Sequence, residues 1–181
     1  MKVCCREAPR CAKPSMTPSA KLAMRRAAET FAKAGKHLEA CEVLEQLVAL
    51  SPRNPLIWND LGVQYEAAGQ IDKAFVALKR GHQIDSTYPP TLYNLGKFTL
   101  DRLLSLRKAG LSTEVEIQGM LTEAIVFLNA NLDRDPDNAD GHHCIALAYS
   151  LNQNEPMAQA HMTVSLRLRE TLEAPPSWRL E

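Results

Sequence analysis

Two Ala-Gly pairs, Ala34-Gly35 and Ala68-Gly69, stand 34 residues apart, and this period constrains the chain more than any other feature. A third pair, Ala109-Gly110, recurs further on, and proline-containing breaks fall at Ser51-Pro52-Arg53-Asn54, Ser86-Thr87-Tyr88-Pro89-Pro90 and Asp135-Pro136-Asp137-Asn138. Self-similarity at a fixed period of this length marks a supersecondary unit that cannot bury its apolar face alone and gains a core by stacking on its neighbours.

Residues 55–88 show what the unit is. Trp58, Leu61, Gly62 and Tyr65 recur at spacings of 3, 1 and 3, one stripe on a helix of 3.6 residues per turn. Gly69 ends that helix, and Ala74, Leu78 and Gly81 form the stripe of a second one. Small residues at Gly62 and Ala74 let the two helices approach closely. Hydrophobic residues make up 45% of the 181, led by Leu and Ala, and aromatics only 6%, a mixture that favours helices over sheets.

The pattern resembles the tetratricopeptide repeat, W-x2-L-G-x2-Y followed by A-x3-F and P over 34 residues. The same frame fits four units: 21–54, with Met24, Ala27, Ala28, Phe31, Ala40, Leu44, Leu47 and Pro52 at the signature positions; 55–88; 89–138, with Leu92, Leu95, Gly96, Ala124, Leu128 and Pro136; and 139–172, with Ile145, Ala146, Tyr149, Ala158, Met162 and Ser165. His142 at the first signature position of the last unit departs from the consensus. The resemblance implies an all-α fold, a right-handed α-solenoid of four helix pairs. Residues 1–20, with Pro14, Ser15, Pro18 and Ser19, read as a flexible arm, within which Met16 is an alternative start. Residues 173–181 read as a tail in which Pro175-Pro176 stops the last helix.

The third unit has 50 residues, and its excess lies at the helix–helix turn. Thr91 to Ala109 reads as one helix closed by Gly110, and Thr113 with Glu116 makes a capping box for the next. Both helices should therefore be about two turns longer than the others and project as a hairpin. Leu100, Leu103, Leu104 and Leu106 on one side, and Leu111, Val115 and Ile117 on the other, either zip the hairpin together or leave apolar surface for self-association or a partner. The last helix has the same ambiguity, with Met157, Ala160, His161, Val164 and Leu168 as a second apolar stripe that Trp178 and Leu180, or a second chain, would cover.

In the family the first helix of each pair lines a concave groove that takes a peptide or a partner helix. By position, that groove contains Arg25, Arg26, Glu29 and Lys33, then Asn59, Asp60, Val63 and Glu66, then Tyr93, Asn94, Lys97 and Asp101, then His143, Cys144 and Leu147. The residues expected to bind peptide are Asn59, Asp60, Val63, Glu66, Tyr93, Asn94, Lys97 and His143, with a solvated face as the plainer reading. One subclass clamps a chaperone's C-terminal carboxylate. Its positions here hold Arg25, Glu29, Asp60, Pro90 and Asn94, and the acidic pair would repel a carboxylate.

Nothing in the chain points to catalysis. The eight glycines form no phosphate loop, and no GxSxG occurs. His142, His143 and Cys144 point about 100° apart on a helix and cannot converge on one ion, although His143 or Cys144 could join His161 or the N-terminal cysteines Cys4, Cys5 and Cys11. Cys4, Cys5, Cys11, Cys41 and Cys144 are odd in number and crowd at one end, which is no disulfide framework. Lys plus Arg equals Asp plus Glu at 21 each, so the basic excess of a nucleic-acid binder is missing. With no apolar run of 18 residues and no secretory leader, a cytoplasmic location follows. The expectation is a non-enzymatic interaction protein without cofactor or metal, whose partner is another protein and for which homo-oligomerisation stays open. A secretion-type chaperone and a self-assembling scaffold are the alternatives.

Overall fold

The computed structural model describes residues 16–173, with side chains as far as 170. Cys4, Cys5, Cys11, Trp178 and Leu180 lie outside the described residues. Among those described there are eight helices and no strand: α1 (Pro18–Lys33), α2 (His37–Leu50), α3 (Pro55–Ala67), α4 (Ile71–Ile84), α5 (Pro89–Ala109), α6 (Glu114–Leu132), α7 (Ala139–Leu151) and α8 (Glu155–Glu173).

Each start has a local cause. The Asn54 and Asn138 side chains accept from Leu56 N (3.1 Å) and Gly141 N (2.9 Å), capping α3 and α7. At α6, Thr113 and Glu116 hydrogen-bond each other's backbone N–H. Helix α1 begins inside the stretch expected to be a flexible arm. Pro18 occupies its first turn, where the missing N–H costs nothing, and Thr17 accepts from Ala20 N at 3.3 Å. The turns that end α1, α3 and α5 pass through Gly35, Gly69 and Gly110, all at positive φ, whereas the turn after α7 places Gln153 at φ 56°.

Odd-numbered helices pack most extensively on the even-numbered helix that follows, and more lightly on the next one along. Two apolar cores result. The first gathers Ala28, Cys41, Leu44, Leu47, Ile57, Leu61, Leu78, Leu95 and Phe98; the second gathers Leu100, Leu103, Leu121, Leu128, Ile145 and Ala148. Helix α5 contributes to both and ties them together. Each fully buried leucine stabilises the fold by about 1.5–3 kcal/mol.

Close approach is set by small residues. A Cβ added at Gly62 would stand 2.7 Å from Leu78, and one at Gly96 only 2.6 Å from Leu128. At the other end of the pairs, the even-numbered helix meets the first carbonyl of its predecessor. Gly81 would place a Cβ 3.5 Å from Pro55 O, Asn131 Nδ2 donates to Pro89 O (3.0 Å), and Ser165 Oγ donates to Ala139 O (2.8 Å). Asn131 and Ser165 are wholly buried, so these bonds also satisfy polar groups that water cannot reach.

The long α5 and α6, of 21 and 19 residues, divide their leucines. Leu100 and Leu103 are buried, and Leu104, Leu106 and Ile117 are half-buried. Leu111 and Val115 are not zipped in: they are 75% and 82% exposed. No helix among the described residues is long and apolar enough to cross a membrane.

Candidate functional site

The odd-numbered helices lie side by side, α3 against α5 and α5 against α7. Their polar side chains are joined in rungs. Arg25 Nε donates to Asp60 Oδ2 at 2.8 Å, linking α1 to α3. Asn94 Nδ2 donates to Asn59 Oδ1 at 2.8 Å, and Lys97 Nζ to Glu66 Oε1 at 2.7 Å, linking α3 to α5. Lys97 also reaches Asp101 at 3.0 Å. Tyr93 lies beside Cys144, bringing α5 to α7.

The electrostatics follow from partial burial. Burial works against the Lys97 charge, but the hydrogen bonds to Glu66 and Asp101 outweigh it and hold the ammonium above its ordinary range. The hydrogen bond to Asp60 raises Arg25 further. Burial pushes the Asp60 carboxyl up, and the Arg25 hydrogen bond opposes it. Burial raises Tyr93 and the thiols of Cys41 and Cys144, so neither cysteine is an activated nucleophile.

Six of the eight residues read from the sequence as peptide-binding therefore face a neighbouring helix of the same chain. Asn59 differs most from the expectation. It is buried, and its oxygen also receives Thr91 Oγ1 at 3.4 Å. Its amide braces two helices, because α5 passes close enough to take it up. Asn94 spends one N–H on that bond and keeps its oxygen. His143 is exposed. Val63 belongs to a cleft between α1 and α3 of about 230 Å³. Ala28, Ala32, Leu44 and Val63 form its apolar floor; Arg25, Glu29, Lys33, Asp60 and Gln64 form its rim. The groove expected from the sequence includes Arg25, Glu29, Lys33, Asp60 and Val63 of this cleft but not Ala28, Ala32 and Leu44 of its floor. The signal was available in Ala28 and Ala32, two small residues one turn apart that leave room beside Val63. His37 Nδ1 meets Gln64 Oε1 at 3.0 Å and fixes that edge.

Among the described residues no three His, Cys, Asp or Glu side chains are placed to hold a metal ion. His161 meets His142 rather than His143 or Cys144, with the two Nδ1 atoms 2.9 Å apart. His142 Nε2 lies 3.0 Å from Pro136 O, a bond that only its N–H can make, so His161 is the donor between the rings. Tyr149 stacks on His161 with centroids 5.6 Å apart. The histidine at the non-consensus position is thus a packing residue joining α7 to α8.

No family profile matches the chain, and no curated protein sequence matches it. Solved structures do. The crystal structure of MamA is 19% identical over 85% of this chain and 81% of its own, with TM-score 0.62. TTC0263, a thermophilic TPR protein of Thermus thermophilus, is 19% identical over 83% of this chain and 75% of its own, with TM-score 0.70. A monomeric mutant of IFIT1 with Gppp-AAAA is 18% identical over 83% of this chain, which spans 34% of that protein, with TM-score 0.72. At these identities the likeness is one of fold: the chain has the all-α, solenoid-type tetratricopeptide-repeat architecture.

Proposed function

We propose that the chain is a non-catalytic interaction module that holds a peptide or helix of another protein along the surface formed by α1, α3, α5 and α7. The cleft between α1 and α3 is the anchor point. The observation that carries this reading is the pairing there of an apolar floor with a rim of both charge signs. Such a cleft takes an aliphatic side chain and lets neighbouring polar groups fix its direction. The rungs Arg25–Asp60, Asn59–Asn94 and Glu66–Lys97 hold the wall in one shape before a ligand arrives, which lowers the ordering cost of binding.

Val63 and Lys33 are the residues read as touching the ligand first, followed by Asn94 and His143; Asp60, Glu66, Tyr93 and Lys97 position the wall. The units 21–54, 55–88, 89–138 and 139–172 are the division we adopt, and the free thiols of Cys41 and Cys144 support a cytoplasmic setting. A protein partner is favoured over a nucleic acid by the zero net charge and not by the fold. The exposed Leu111 and Val115 support a second reading, a scaffold whose long hairpin makes contacts of its own.

Peptides selected from a displayed random library against the full chain test the first reading. Val63→Glu and Lys33→Glu should each weaken the selected peptides at least tenfold in calorimetry while melting as the parent does. Affinities that survive both changes place the peptide elsewhere and defeat the groove reading.

A further inference from the structure

The outer face of α6 carries an apolar seam that no other described residue covers. Val115 and Val126 are 82% and 60% exposed, and Leu111, just ahead of the helix, is 75% exposed. Val115, Gly119, Thr122 and Val126 follow at spacings of 4, 3 and 4, which on an α-helix is one continuous stripe, the pattern of a coiled-coil seam. The Thr122 hydroxyl is turned back onto its own helix, donating to Gln118 O at 2.9 Å, so it does not interrupt the stripe.

Gly119 is a second and independent observation. Every other glycine has a reason inside the chain. Gly35, Gly69 and Gly110 adopt positive φ; Gly62, Gly81, Gly96 and Gly141 have neighbouring atoms within 3.5 Å of where a Cβ would be. A Cβ at Gly119 would meet nothing within 4 Å. A glycine in mid-helix is a poorer helix former than alanine, and no described residue uses the space it leaves. That space opens toward a cleft also lined by Leu106, Leu111 and Ser112, whose Oγ is buried with no hydrogen-bond partner.

Charge identifies the occupant. Every ionic side chain on α6 is a carboxylate, Glu114, Glu116 and Glu123, and there is no Lys or Arg from 114 to 132. Glu116 is tied to Thr113, whereas Glu123 makes no ion pair among the described residues and stands on the cleft side of the seam. Arg102, on the opposite wall, lies 5.7 Å over the Phe75 ring. Two copies meeting through α6 in antiparallel fashion would set carboxylates against carboxylates, which is unfavourable.

We propose that the α6 seam docks an amphipathic helix of a different protein, one whose small aliphatic residues recur every three and four positions between flanking Lys or Arg. The helix backbone approaches closest at Gly119, and its basic residues meet Glu123 and Glu114. This site is separate from the cleft between α1 and α3.

The test uses the full chain and two labelled synthetic helices of roughly twenty residues, about the length of α6 at 1.5 Å per residue. One has leucine along the seam positions and lysine beside them; its twin has glutamate in place of lysine. Fluorescence anisotropy should show the lysine helix binding at least tenfold tighter than the twin. Gly119→Gln and Val126→Gln should each weaken it about tenfold, Glu123→Gln about threefold, and Val63→Glu not at all. Gly119→Gln fills open space with a better helix former, so a loss of binding there without a loss of melting temperature is specific to docking. Equal binding of the two helices, or affinity unmoved by Gly119→Gln and Val126→Gln, overturns the proposal. So does sedimentation showing that the chain self-associates and that Val126→Gln abolishes it, because a second copy is then the occupant.

Discussion

Gly96→Ala and Gly119→Ala are the same chemical change in two adjacent helices, and they should act with opposite sign. At Gly96 the new methyl carbon would stand 2.6 Å from Leu128 Cγ and 2.9 Å from its Cδ2, with Ala124 O at 3.3 Å. Carbon atoms prefer about 3.5–4.0 Å, so the overlap is about 1 Å against a leucine that is itself wholly buried. Overpacking of this kind costs about 1–3 kcal/mol, from which the better helix propensity of alanine subtracts about 1. The expected net loss is up to about 2 kcal/mol. At Gly119 the methyl meets open space, only the propensity remains, and the chain should gain about 1 kcal/mol. Urea unfolding followed by circular dichroism reads both. Leu128→Ala supplies the cross-check. On its own it should cost about 2–5 kcal/mol as a core truncation, and together with Gly96→Ala less than the sum, because the added methyl occupies part of the vacated space. Destabilisation of equal size at both glycines, or strict additivity of Gly96→Ala with Leu128→Ala, would refute the packing argument.

Gln153→Gly should raise stability by about 1 kcal/mol in the same urea assay, because Gln153 sits at φ 56°, where Gly35 and Gly69 sit in the other turns. Asn131→Leu should cost about 3 kcal/mol, since it strands Pro89 O and the Asn138 amide that donates to Asn131 Oδ1 at 3.0 Å. Burial, and secondarily His142, hold the His161 pKa below its ordinary value of about 6.5, so the folded chain binds fewer protons than the unfolded one. Its contribution is complete above about pH 6.5 and is lost as pH falls through 6.5 toward the folded-state pKa. Melting temperature should drop from about pH 7.5 to about pH 5.5, and His161→Gln should flatten that slope.

Helix ends were the most readable part of the chain. Gly110 can end α5 because a residue without Cβ enters the left-handed region freely, and the Thr113/Glu116 spacing writes a capping box into four letters. Pro18 misled for a related reason: proline is common both in loops and in the first turn of a helix, and only Thr17 tells the two apart. The turn at Gln153 was hidden because its residue is not the one its geometry prefers. The inner surface was legible as a face but not as a set of bonds. A period of 3.6 shows that Asn59, Asn94, Asp60 and Arg25 look the same way; it does not say how near α5 comes to α3, and that distance makes Asn59 a brace. The His142–His161 pair was missed likewise, because its two members sit on different helices and the sequence encodes no distance between them.

The joints at Gly81, Asn131 and Ser165 all lie where the second helix of a pair passes the start of the first. The extra length of α5 and α6 lies at the opposite pole, around Gly110 and Thr113. Growth at that pole leaves these fastenings within each pair in register, so the chain can lengthen one hairpin without disturbing them. The array thus has a side where its paired helices are fastened and an opposite side, around the turns, where surface can be added while the joints stay as they are.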